Sequence, residues 1–335
     1  MPTEAPNSTP TTPRILALGL NSAWQKTLLF DALQIGEVNR VSWLGETGGG
    51  KGMNVARAAV YLGADVTVAQ FIGGHTGELL RREQTALGIA GITVQCDAPT
   101  RTCTTVVSKA TGQSTELIEP SGTVAPACVA QLRNALRPVL SEYDGIALCG
   151  TYPPGVDESF YADTVAGAGS DTLVLLDGIK GVEKTLETGI DLLKINASEL
   201  TQLAGDADIA TAARVCFGRY AVRYIGVTDG PGTAYMFSPE NAWRLQLPRL
   251  DSVQSAIGAG DCASAALLLD CVHRRQANGA LSSSDVVEAF AHALACASAS
   301  CLTAAPAAFD DAQAAQIRTD IHIEECPVPQ TGRPE

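Results

Sequence analysis

Two glycine-rich segments carry the strongest chemical signal in this chain. Gly48 to Asn54 reads GGGKGMN and runs directly into a stretch of helical spacing. Its glycines permit positive φ and close backbone approach, and the helix start offers unpaired amides. The same pattern also serves as a plain turn, and it is not a G-x-x-x-x-G-K-[ST] phosphate loop, because neither the spacing nor the hydroxyl after Lys51 is present. Ser255 to Leu267 reads SAIGAGDCASAAL, which places Gly258, Ala259 and Gly260 just before Asp261 at the start of a helix. Exposed amides at the positive end of a helix dipole suit a phosphate or a developing negative charge. A carboxylate beside them suits a general base that takes a proton from an attacking hydroxyl; the competing role for Asp261 is a helix cap. Gly258, Gly260 and Ala263 also satisfy G-x-G-x-x-A. A dinucleotide fold, however, needs a following strand and an acid about 20 residues on, whereas HRRQANGALSSS and a second helix follow here.

Two further segments are weaker. In LLKINASEL a strand ends near Lys194, and Asn196 and Glu199 follow at N-x-x-E spacing. An amide and a carboxylate so placed can share a Mg²⁺ or its waters with phosphate oxygens, or form a capping box, and the two roles are compatible. VTDGPG is first of all a turn, in which the Thr228 hydroxyl and the Gly230 amide could meet a nucleotide phosphate. The four histidines show no metal-ligand spacing with the cysteines, which argues against a zinc site.

The elements that must position these groups are legible in outline. RILALGL is a strand, MNVARAAVYLG a helix, DVTVAQFI a strand and LLRREQTAL a helix, whereas CTTVVSK and STELIE around ATGQ form a hairpin. From Gly145, near-continuous apolar strands (GIALCG, TLVLLD, DLLKI, VRYIGVT) alternate with helices, the pattern of a parallel sheet covered on both faces. Beyond Asp261 only helices are expected. The predicted fold is α/β: a three-layer α/β/α domain over residues 14–323 with a mostly parallel central sheet, plus a small discontinuous β-sheet from about 20–47 and 96–119. Residues 1–13 and 324–335 read as tails.

Composition bounds the partners. The 335 residues carry 23 basic and 36 acidic side chains, a net charge of −13, with no basic run; nucleic acid and anionic membranes are poor partners for such a surface. The N-terminus lacks the features of a signal peptide, and Ala289 to Phe309 is too rich in Ala, Ser and Cys for a membrane helix. Ten cysteines without a C-x-x-C pair read as free thiols in a reducing cytoplasm.

The ordered set GGGKGMN, LLKINASEL, VTDGPG and SAIGAGD resembles the PfkB (ribokinase-like) carbohydrate kinase family, from about Arg14 to the C-terminal helices. LNSAWQKT, IGEVNR, PTRTCTTV and GTYPPGV are similar to segments of its 1-phosphofructokinase, tagatose-6-phosphate kinase and minor 6-phosphofructokinase branch. The resemblance implies the ribokinase fold, with the small sheet as a lid that closes over the sugar and forms a homodimer. It also implies Mg·ATP-dependent phosphoryl transfer to a hexose phosphate, with fructose 1-phosphate the first substrate to try and tagatose 6-phosphate or fructose 6-phosphate next. Carried over residue by residue, Asp261 is the base, and Gly258, Ala259 and Gly260 form the anion hole. Asn196 and Glu199 organise Mg²⁺, Lys194 lies near the phosphates, and Thr228 and Gly230 hold ATP. Gly49, Gly50, Lys51 and Asn54 line the sugar site, while Arg101 faces the substrate's own phosphate. Three departures stand out. Gln25 replaces the family's sugar-contacting Asp, Ser22 and Ile195 replace prolines, and Ser255 replaces the Asp of a ribokinase-type monovalent-cation site. A kinase of an unphosphorylated sugar or nucleoside, and a catalytically impaired nucleotide-binding homologue, are the alternatives.

Overall fold

In the computed structural model, which describes residues 12–303 and 305–326, the chain begins with β1 (Arg14–Leu18). It then leaves for β2 (Ala23–Phe30) and β3 (Trp43–Gly49), and returns through α1 (Lys51–Tyr61), β4 (Asp65–Ile72), α2 (Gly74–Ala86) and β5 (Ala90–Gln95). A second excursion forms β6 (Arg101–Ser108) and β7 (Ser114–Ile118). Helices and strands then alternate as α3 (Pro126–Leu136), β8 (Gly145–Cys149), α4 (Ser159–Gly167), β9 (Leu173–Asp177), α5 (Glu183–Thr188), β10 (Ile190–Asn196), α6 (Ala197–Ala204), α7 (Ile209–Arg219) and β11 (Val222–Asp229). The hairpin β12 (Thr233–Phe237) and β13 (Ala242–Gln246) precedes α8 (Ala259–Asn278), α9 (Ser283–Ser300), α10 (Asp311–Thr319) and β14 (His322–Cys326).

Ten strands form one sheet in the order β14-β13-β12-β11-β10-β9-β8-β1-β4-β5. The run from β11 to β5 is parallel, and the β12–β14 edge is antiparallel. Alternation along each strand feeds two cores. Ile15 and Ala17 of β1 pack towards α1, α8 and α9, while Leu16 and Leu18 pack towards α3, α4 and α5. Burial on both faces explains why the strands read as unbroken apolar runs. The first core is built largely from Ala, Cys and Leu of α8 and α9, so the sparse aromatics are no deficit; small side chains let these helices lie close to each other and to the sheet.

The second sheet has the order β3-β2-β6-β7, with β2 antiparallel to β3 and parallel to β6. Trp43, Leu44, Leu117 and Ile118 on this sheet are about half exposed, and Ile35 and Val38 in the β2–β3 connection almost fully so.

Two expectations are corrected. A strand, β14, follows the last helix, and it includes Glu324 to Cys326 of the expected C-terminal tail, pairing antiparallel with β13. The adjacent acids Glu324 and Glu325 hide it from a reading based on apolar runs, because an edge strand tolerates charge. At the other end, Pro13 already accepts a hydrogen bond from the Asp65 amide; residues 1–11 and 327–335 of the two expected tails lie outside the described residues. The competing role of Asp261, a helix cap, is not taken up. Gly258 occupies the N-cap in the left-handed region, with φ 77° and no side-chain cap, and Asp261 is the third residue of α8.

All ten cysteines are free thiols. Among the described residues, no helix is long and apolar enough to cross a membrane.

Candidate active site

The parallel strands end at one rim of the large sheet, where open α/β sheets bind ligands. The rim gathers Asp177 at the end of β9, Lys194 and Asn196 at the end of β10, and Thr228 near the end of β11. Helices α1 and α8 start at the same rim. Gly50 caps α1 with φ 85°, so Lys51 is its first residue and projects over the strand ends. The close approach is made possible by Gly19 and Gly52, whose backbones touch; a Cβ on Gly19 would lie 2.7 Å from the Gly52 Cα.

Five of the expected residues converge into one charged cluster. The Lys51 ammonium donates to Asp177 Oδ1 at 2.5 Å, and Lys194 Nζ lies 3.5 Å from Asp177 Oδ2. Asn54 Nδ2 donates to Asp261 Oδ2 at 2.8 Å. Gly260 is so close to Lys194 that a Cβ there would lie 2.9 Å from its Nζ, which puts the ammonium against the first turn of α8. Asp261 is 7% exposed and Asp177 1%. Burial and then the Asp177 charge push the Asp261 carboxyl up to about 6, although Lys51, Asn54 and Lys194 oppose the rise. For Asp177, burial is outweighed by Lys194 and Lys51 and by hydrogen bonds from Lys51 and Ser264, and its carboxyl is held down at about 2. Burial would lower the Lys51 ammonium, but Asp177 and Asp261 outweigh it and hold it above its ordinary value.

At the root of the small sheet, Ala23 of β2 pairs with Gly49 on one side and Arg101 on the other, which brings Arg101 beside the glycine loop. Arg101 lines a cleft with Asn21, Ser22 and Thr100. Its Nε is buried without a partner, and Nη1 reaches only the Glu119 carbonyl, at 3.5 Å. Among the described residues no carboxylate forms an ion pair with it. Gln25, further along β2, donates from Nε2 to Thr105 Oγ1 at 2.9 Å. Gly49 packs on it; a Cβ there would lie 2.9 Å from Gln25 Cβ.

A largely apolar cavity of about 730 Å³ is lined by Thr228, Gly230, Val253, Ala259, Gly260 and Leu294, among others. It abuts the first turn of α8, so the expected nucleotide residues share one wall with the expected anion hole. One of the three amides expected to form the anion hole is engaged: the Ala259 N–H donates to the Ala256 carbonyl at 3.3 Å.

Asn196 and Glu199 bond to each other rather than to the cluster, although the Glu199 charge still acts on the Lys51 ammonium. They form a reciprocal capping box on α6, with Glu199 N donating to Asn196 Oδ1 at 2.8 Å and Asn196 N to Glu199 Oε2 at 2.9 Å. Among the described residues, no group of three or more His, Cys, Asp or Glu side chains could hold a metal by itself. The second Glu199 oxygen remains a hard donor, and one carboxylate is a fitting share for Mg²⁺, which keeps several waters and takes its other ligands from phosphates.

Asp177, Ser264, Arg57 and Glu83 were not identified by motif or spacing. Asp177 closes the apolar run LVLLD, and the acid at a strand's C-terminal end was the one available clue. Ser264 donates to its Oδ2 at 2.5 Å.

Residues 22–312 match the pfkB family carbohydrate kinase, and that span holds the whole cluster. The chain belongs to the pfkB family of carbohydrate kinases. Among relatives of this family, the chain is 27% identical over 272 residues to tagatose-6-phosphate kinase of Staphylococcus epidermidis, covering 78% of this chain and 86% of that one. It is 29% identical over 263 residues to 1-phosphofructokinase of Rhodobacter capsulatus, covering 76% and 83%. Phosphofructokinase-2 from Escherichia coli in complex with fructose-6-phosphate superposes with a TM-score of 0.79 at 24% identity, covering 92% of this chain and 99% of that chain. Ribokinase from Giardia lamblia does so at 0.77 and 15%, covering 91% and 99%. The fold of this kinase is therefore ribokinase-like, with a large mostly parallel sheet and a separate small one.

Proposed function

We propose that this pfkB-family kinase transfers the γ-phosphoryl group of ATP to a hydroxyl of a hexose phosphate, with Asp261 as general base. The observation that carries the reading is the placement of Asp261: a buried carboxylate in the first turn of α8, behind an uncapped Gly258–Gly260 N-terminus, with its pKa raised to about 6. A base near that value is ionised at pH 7 and still takes a proton readily.

The remaining groups divide the work of positioning and charge stabilisation that dominates phosphoryl transfer. The acceptor sugar lies between Gly49, Gly50, Lys51 and Asn54 and the lid residue Gln25, with its hydroxyl at Asp261. Adenosine occupies the apolar cavity at Thr228 and Gly230, and its phosphates run to the start of α8, where the amides of Gly258, Ala259 and Gly260 and the Lys194 ammonium meet the transferring group. Ala259 turns its amide from the Ala256 carbonyl to the phosphate. Glu199 would hold Mg²⁺, with Asn196 orienting its waters, and the bound ion would supply charge neutralisation for the phosphates. Arg101, with its partnerless Nε, holds the phosphate the sugar already carries; this favours a phosphorylated over an unphosphorylated acceptor. The half-exposed apolar side chains Trp43, Leu44, Leu117 and Ile118 support dimerisation through the lid.

The test is sugar-dependent ADP release with Mg²⁺, run over fructose 1-phosphate, tagatose 6-phosphate, fructose 6-phosphate, fructose and ribose. Release with a hexose phosphate at a much lower KM than with fructose or ribose is expected. ATP binding with no release on any acceptor would identify a nucleotide-binding homologue, and preference for a free sugar would remove the role given to Arg101.

A further inference from the structure

Arg57 is 4% exposed on a helix whose buried face is otherwise Asn, Val, Ala, Met and Gly. A buried guanidinium persists only when its donors are met, and here they meet acceptors on five residues. Nη1 donates to Asn54 Oδ1 at 3.0 Å and to the Pro306 carbonyl at 3.4 Å. Nη2 donates to the Gly48 carbonyl at 2.6 Å, to Thr47 Oγ1 at 2.9 Å and to Glu83 Oε1 at 2.9 Å. Glu83 in turn accepts from the Gly48 amide at 2.5 Å and from the Thr47 hydroxyl. The guanidinium and Glu83 thus clamp the last turns of β3, where the small sheet joins α1.

An arginine has no acceptor. A guanidinium facing Asn54 therefore fixes the amide with its oxygen towards Arg57 and its NH₂ towards Asp261, where it donates at 2.8 Å. Without Arg57 the amide is free to turn, and its oxygen would then face a carboxylate. The Pro306 contact extends the network to α8, because Ala307 N lies 3.0 Å from where a Cβ on Gly258 would be. We propose that Arg57 is a positioning residue that aims the Asp261 carboxylate through Asn54 and ties that aim to the root of the small sheet. The inference deepens the reading of Asp261 as the base and rests on it.

The test reads Asp261 itself. Its carboxyl carbon is followed by NMR against pH in the unliganded protein and assigned with Asp261→Asn. The groups acting on it, Asp177, Lys51, Lys194, Asn54, Cys149 and Cys262, are kept in all the variants except Asn54→Ala. Arg57→Lys retains a charge for Glu83 but cannot span the same acceptors. It is expected to raise the Asp261 midpoint by about one pH unit, because a hydrogen bond to the charged form is lost. Asn54→Ala should match it, and the double variant should add nothing. In turnover, the acid limb of kcat should move up with the midpoint, leaving the KM for ATP in place. A folded Arg57→Lys with an unmoved midpoint overturns the inference. Should Arg57→Lys fail to fold, the milder Thr47→Val decides: a smaller upward shift supports the coupling and no shift overturns it. A wild type that releases no ADP with any sugar would defeat the kinase reading, while the midpoint would still decide the role of Arg57.

Discussion

Asp177 and Asp261 are two buried carboxylates of one cluster that their surroundings drive in opposite directions, to about 2 and about 6. Two ammonium groups and the Ser264 hydroxyl serve Asp177, whereas an amide serves Asp261. Environments that pull paired groups apart in this way mark the division between a structural anion and a proton acceptor.

Asp177 is itself one cause of the raised Asp261 pKa, so removing its charge should make the base more acidic. Asp177→Asn keeps a partner for Ser264 and frees two cations to act on Asp261. The acid limb of kcat, expected near pH 6 in the wild type, should then move down by about one unit. Turnover at saturating substrates between pH 4.5 and 8 checks the direction, which is opposite to that expected for Arg57→Lys.

Asp261→Asn separates activity from stability. Loss of the base should cut kcat by at least about 100-fold, with ATP affinity little changed. The carboxyl binds its proton more tightly in the folded chain than in the unfolded one, so its contribution to stability falls as pH rises from about 4 to about 6. The neutral amide escapes that loss, and the variant should be more stable at pH 7, by an amount on the order of 2 kcal/mol. Urea unfolding at pH 7 and at pH 4 tests this; the advantage should shrink at the lower pH.

Arg101→Ala removes a cation whose Nε has no other partner. The KM for phosphorylated acceptors should rise about 10- to 100-fold, while values for fructose and ribose stay within about twofold. Equal effects on both classes would show that Arg101 acts on the shape of the cleft rather than on a phosphate.

A separate cluster is expected to make stability depend on pH in the alkaline range. His292 on α9 lies between Asp270, 3.6 Å from Nδ1, and Cys296, 3.5 Å from Nε2. Hydrogen bonds to these partners raise its pKa to about 10. A raised folded-state value means the stabilisation is complete below about pH 6.5 and disappears as pH climbs through about 10. His292→Asn should therefore flatten the fall in unfolding midpoint between pH 7 and 10, as followed by urea titration at several pH values.

The parts of this site that were legible in the sequence are those made locally. GGGKGMN and GAGD are contiguous, and their glycines are needed where the chain turns with positive φ at Gly50 and Gly258. The N-x-x-E pair at Asn196 and Glu199 revealed its cap because a capping box spans four residues. Asp177, Arg57 and Glu83 become functional only through sheet order and helix packing. Asp177 lies 126 positions from Lys51 and 87 from Ser264, and no spacing rule links them. Nothing within MNVARAAVYLG or LLRREQTAL sets Arg57 or Glu83 apart, because, Asn54 aside, their partners come from other parts of the chain. The unbroken apolar runs revealed β1, β4 and β8 to β11, which are buried on both faces, and missed β5 at one edge and β12, β13 and β14 at the other, whose strands are only partly buried.

The contact between Gly19 and Gly52 bears on how this chain can drift. Each is already the smallest residue, so a side chain gained at either position has no compensating loss available at the other. Substitutions elsewhere in the core can be balanced by a neighbour shrinking or growing, but this pair is locked, and with it the height at which α1 sits above β1. Lys51 is placed by the absence of atoms two strands away in sequence, which makes the least decorated part of the site the part least free to vary.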